Sequence, residues 1–104
     1  MAESGVHCSR CGRPFENEER LACISGKVMG DEYTDCYYWC GTCEVYTIRL
    51  FRDAFCGTET ARDSTPISRE DGDRRLELIR GCPDPNDERC QCEAHRGYFG
   101  GWLD

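Results

Sequence analysis

Cys8-Ser-Arg-Cys11 and Cys40-Gly-Thr-Cys43 are two CxxC pairs, separated by 28 residues. A CxxC turn holds two sulfurs on one side of a tight loop, which is half of a tetrahedral metal site. Two such turns, brought together by a β-hairpin, complete a four-thiolate cage. That single constraint says more about how this chain stays folded than any other stretch of it.

The need for such a cage follows from what the chain lacks. Leu, Ile, Val and Phe make up 16 of 104 residues, and the formal net charge is −7. An aliphatic and Phe content below about 20% with high net charge is a signature of disorder. A chain of this length is one domain, but its core is small and needs staples. The ten cysteines are the obvious candidates. The N-terminus has neither a basic segment nor an apolar one of the kind that opens a signal peptide. No stretch approaches the roughly 20 apolar residues of a membrane span. A reducing, cytoplasmic setting is therefore expected, and there CxxC points to metal ligation or redox chemistry.

Charge narrows the partners. Six basic residues precede position 60 and seven follow it, each set outnumbered by ten acids. Nucleic acid requires a basic patch, so it is not an expected partner, and neither is a membrane. A protein partner is.

Along the chain, residues 1–7 read as a short flexible lead and 14–20 as a polar loop. Residues 21–29, 33–39 and 44–51 read as strands, with a turn signal at Gly30-Asp31. The clearest strand is the last, where Tyr46, Ile48 and Leu50 alternate with Val45, Thr47 and Arg49. Residues 57–66 are polar and loop-like. Ser68-Arg-Glu-Asp71 resembles an N-cap with an acid three residues on. It predicts a helix over about 69–80 that uses Leu76 and Ile79 to lie on the sheet and ends at Gly81. Gly72 weakens that helix by about 1 kcal/mol relative to alanine. The fold class expected is a single small α+β domain over 1–104. Residues 8–56 form its antiparallel sheet, 57–67 a loop, and 68–104 the helix, a second Cys/His loop and an aromatic tail.

The paired knuckles resemble the zinc-ribbon and rubredoxin-like family over residues 8–43. The resemblance implies that Cys8, Cys11, Cys40 and Cys43 ligate one metal. The family usually has glycine after the second cysteine of a knuckle; Gly12 fits, and Glu44 stands at the other position. Zinc and iron both accept tetrahedral thiolates. Iron would make an electron carrier, and the aromatic run Tyr33, Tyr37, Tyr38, Trp39 suits that. A rubredoxin, however, needs only about half this length and four cysteines, so zinc is the expected metal.

A second constellation, Cys82-x7-Cys90-Gln-Cys92-x2-His95, offers three sulfurs and an imidazole within fourteen residues. That donor set suits a Cys3His site, giving about two zinc ions per chain. The competing reading is a buried helix-end Cys82 beside a loop of chance spacing. Cys23, Cys36 and Cys56 read as small buried apolar residues, with Cys36 on the strand face of Cys40. His7 reads as solvent-facing or packed behind Cys8. Trp39-Cys40-Gly-Thr-Cys43 looks like a thioredoxin active site, but strand-forming residues follow where a helix start would be needed to lower the thiol pKa. The expected function is a structural zinc-binding module for protein interaction, without turnover and without catalytic residues. An iron electron carrier and a WCGTC dithiol oxidoreductase are the alternatives. Tyr98, Phe99 and Trp102 of the tail are expected either to meet a partner or to fold back onto the core.

Overall fold

The alternation in residues 45–50 places Val45 and Thr47 on one side of a strand and Tyr46 and Ile48 on the other, and all four are buried. A strand buried on both faces needs a layer above and a layer below. The computed structural model, which describes residues 3–54, 57–90 and 92–100, supplies both. Strands β3 (Arg20–Val28), β4 (Asp31–Cys40), β5 (Val45–Asp53) and β6 (Glu59–Asp63) pair antiparallel in that order. The short β7 (Ile67–Ser68) extends the sheet by pairing with the start of β5. A separate hairpin, β1 (Glu3–His7) and β2 (Pro14–Glu16), covers one face. Helices α1 (Arg69–Arg80) and α2 (Glu93–Tyr98) cover the other.

The core is accordingly two thin clusters divided by the sheet. On the hairpin side Val6, Cys8 and Phe15 meet Cys36, Tyr38, Cys40 and Val45, and the rings of Phe15 and Tyr38 stack at 5.3 Å. On the helix side Ile24, Tyr37, Tyr46 and Ile48 meet Leu76 and Ile79.

The predicted helix spans the expected residues. Ser68 caps it by accepting the Asp71 N–H at 3.2 Å, and Gly81 closes it. Leu76 and Ile79, each 2% exposed, are its contact with the sheet, as their spacing implied.

Four segments differ from the sequence-based reading. Residues 3–7, expected as a flexible lead, form β1. Within 14–20, β2 and a 3-10 turn at Asn17–Glu19 replace the polar loop. Residues 59–63 form β6 although every side chain in it is exposed; a solvated edge strand has no apolar alternation to betray it. The second Cys/His loop contains α2, whose six residues are too short to show a helical period. The turn between β3 and β4 is Met29-Gly30, both at positive φ, which suits the twist of a two-residue hairpin.

Among the described residues no helix is long and apolar enough to cross a membrane. Cys56 and Trp102 lie outside the described residues. Tyr98 and Phe99 fold back against the helix-side cluster.

Candidate metal centres

Each CxxC knuckle is the tip of a hairpin. Cys8–Cys11 turns the chain between β1 and β2; Cys40–Cys43 turns it between β4 and β5. The two tips are built alike. The Gly12 N–H donates to the Cys8 carbonyl at 2.9 Å, and the Glu44 N–H donates to the Cys40 carbonyl at 2.8 Å. Both Gly12 (φ 79°) and Glu44 (φ 54°) sit in the left-handed region. That conformation costs a non-glycine residue about 1–2 kcal/mol. Glu44 therefore holds the second knuckle under strain. Glu44→Gly should stabilise the protein by about 0.5–1 kcal/mol after the added chain entropy of glycine is subtracted. Urea unfolding at fixed metal loading measures this, and an unchanged or lower midpoint would remove the strain argument.

The tips meet because hydrogen bonds pin one to the other's sheet. The buried Thr47 hydroxyl of β5 accepts the Ser9 N–H at 3.0 Å and lies 2.9 Å from the Ser9 hydroxyl. The Arg49 guanidinium donates to the Gly5 carbonyl at 2.9 Å. The sulfurs of Cys8, Cys11, Cys40 and Cys43 thereby converge within 4.8 Å of one another. Around a tetrahedral ion with metal–sulfur bonds of about 2.3 Å, sulfurs stand about 3.8 Å apart. The Cys11–Cys40 separation is 3.9 Å. The four residues fit a metal ion in donor type and spacing.

Their electrostatics fit as well. Burial raises the Cys8 thiol, but the N–H groups of Cys11 and Arg10 outweigh it and draw the thiol below its ordinary value. Cys40 is opposed by burial too, yet the Cys43 N–H and the Arg13 guanidinium bring it down to about 6. Cys43 is pushed up to about 12 by the Cys11 sulfur, by burial and by the other two cysteines. Some thiolates form readily and then suppress the rest. A cation removes that conflict, since metal ligation requires all four deprotonated.

The second cluster hangs on the open edge of β3. Ser25 turns both its backbone groups away from β4: its N–H donates to the Pro85 carbonyl at 2.8 Å, and its carbonyl faces His95 Nε2 at 2.6 Å. The sulfurs of Cys82, Cys90 and Cys92 lie within 4.8 Å of one another. Cys82 is the hub, 3.5 Å from Cys90, 3.4 Å from Cys92 and 3.3 Å from His95 Nδ1. Cys92 also caps α2, its sulfur accepting the His95 N–H at 3.3 Å. That bond lowers the Cys92 thiol, whereas burial and the neighbouring sulfurs push Cys82 up to about 12. His95 is fully buried, a costly place for an imidazole without partners.

Cys23 and Cys36 depart from the reading as free apolar residues. They stand opposite one another on β3 and β4 and form a disulfide. Register is the missing signal: the thirteen-residue separation says nothing until the hairpin turn is fixed at Met29-Gly30. His7 is exposed. The residue that follows Trp39-Cys40-Gly-Thr-Cys43 leads straight into β5, so no helix N-terminus points at the Cys40 sulfur.

Comparison with known proteins adds no relative: no protein-family model, curated protein or solved structure matches this chain. The likeness to zinc ribbons rests on the two hairpin-borne knuckles alone. What the arrangement offers chemically is two cysteine-rich groups that can hold metal ions.

Proposed function

We propose that this protein is a structural zinc-binding module with two zinc ions, serving as an interaction or accessory domain; the cytoplasmic setting expected from the sequence has to accommodate the Cys23–Cys36 disulfide, which a reducing compartment disfavours. The observation that carries the reading is the convergence of Cys8, Cys11, Cys40 and Cys43 from two hairpin tips. Zinc there ties the β1–β2 layer to the β4–β5 hairpin. His95 is the fourth ligand of the second site. Its Nε2 proton, donated to the Ser25 carbonyl, leaves the Nδ1 lone pair facing the Cys82 sulfur at 3.3 Å, the usual orientation for a ligating histidine, although His95 stands outside the group of three converging sulfurs. With four protein ligands at each ion, neither site keeps the open position that a catalytic zinc needs.

Elemental analysis of protein produced without added zinc should find about two zinc ions per chain, and chelation should unfold it. A red, reversibly reducible iron protein would favour electron transfer instead. Disulfide-reducing activity lost in a folded Cys40→Ser variant would favour a dithiol oxidoreductase.

A further inference from the structure

Four arginines are half-buried: Arg13, Arg49, Arg52 and Arg75. Three of them pair with carboxylates, Arg13 with Glu19, Arg49 with Asp63 and Arg52 with Asp35. Among the described residues Arg75 forms no ion pair. A guanidinium withdrawn from water without a counter-charge is unfavourable. Arg75 borders a cleft of about 400 Å3 between the helices and the β4–β5 face, and Arg52 stands in the same wall.

The polar floor of this cleft is already organised. Arg52 donates to Asp35 Oδ1 at 2.8 Å and stacks over the Tyr33 ring at 4.0 Å. The Tyr98 hydroxyl donates to Asp35 Oδ2 at 2.8 Å. With its proton committed there, Tyr98 accepts from the Tyr37 hydroxyl, and Arg75 lies beside that same hydroxyl. The buried Asp35 is thus satisfied by Arg52 and Tyr98, which leaves Arg75 without a carboxylate partner among the described residues. Leu78 and the Phe99 ring provide apolar wall.

We propose that this cleft binds a small organic oxyanion, a phosphate monoester or carboxylate, with its charged group on Arg75 and its carbon skeleton against Leu78 and Phe99. Charge decides the anion, because the cleft brings together two guanidiniums and one carboxylate in a chain of net charge −7. Volume decides the organic part, since 400 Å3 lies in the range of small-molecule sites and exceeds a bare oxyanion. Arginine suits the role through its planar fork of donors.

The test is isothermal titration of the metal-loaded protein with phenyl phosphate, benzoate and inorganic phosphate. Phenyl phosphate or benzoate should bind saturably at one site, and phenyl phosphate more tightly than inorganic phosphate. Arg75→Ala should weaken that binding by at least about tenfold. Arg75→Gln, which keeps a donor beside Tyr37, should weaken it similarly while retaining metal content and circular dichroism. No saturable binding of any of the three probes up to about 10 mM, a free energy near −3 kcal/mol, would overturn the proposal. So would affinity unchanged in the folded Arg75→Gln protein.

Discussion

Cys40→Ser will leave this chain without a cooperative unfolding transition. Cys40 is fully buried, ends β4 and is shared by the hairpin-side cluster and the four-sulfur group. Remove its sulfur and, among the described residues, the layer formed by β1 and β2 keeps only Val6 and Phe15 as large apolar contacts with the sheet. A two-stranded hairpin on its own is marginal in water. Structural zinc sites of this kind carry about 10–16 kcal/mol of apparent binding free energy at neutral pH. Whole domains are stable by only about 5–15 kcal/mol, so losing the greater part of one site consumes most or all of the margin. Urea unfolding followed by far-ultraviolet circular dichroism should show a broad, non-cooperative change. Elemental analysis should show zinc falling by at least about one ion per chain. A Cys40→Ser protein that keeps the parent midpoint would mean that apolar packing, not thiolate–metal bonding, holds the two layers together.

Gly72→Ala should destabilise the protein, reversing what helix propensity alone implies. By propensity the substitution gains about 1 kcal/mol. In the folded chain a Cβ at position 72 would fall 2.0 Å from Tyr46 Cδ2 and 2.4 Å from Cε2. Tyr46 has no room to retreat. Its ring packs 4.7 Å from Trp39 and edge-on to Tyr37, and its hydroxyl is bonded to Asp73. Forcing a methyl into such a contact costs typically about 1–3 kcal/mol, occasionally more, and α1 must lift from the sheet to admit it. Chemical denaturation at fixed metal loading should show a net loss of up to about 2 kcal/mol. A rise in stability would show that the helix can shift freely on the sheet.

The same contrast runs through the fold. Helix α1 was legible because its cap, its Leu76–Ile79 edge and its terminal Gly81 are local signals that act over one turn. Strand β5 was legible because alternating burial follows from the pleat. The four-sulfur group was legible because a knuckle carries its own geometry in four residues. By contrast, β6 is exposed throughout and has no alternation to read. Helix α2 is held by Cys92, His95 and the Ser25 carbonyl rather than by its own period. The Cys23–Cys36 bond depends on which residues of β3 and β4 lie opposite, and a shift of one residue would turn each cysteine to the other face.

What the amino-acid order determined by itself is a chain too poor in aliphatic residues to fold by packing, with cysteines spaced to supply the missing cohesion. Only the tertiary structure decided where those cysteines meet, why glycine must occupy position 72, and which cleft-lining arginine forms no ion pair among the described residues. The first set of facts arises from interactions a few residues apart along the backbone. The second arises between segments tens of residues apart, where strand register and the stacking of layers, not local preference, select the neighbours.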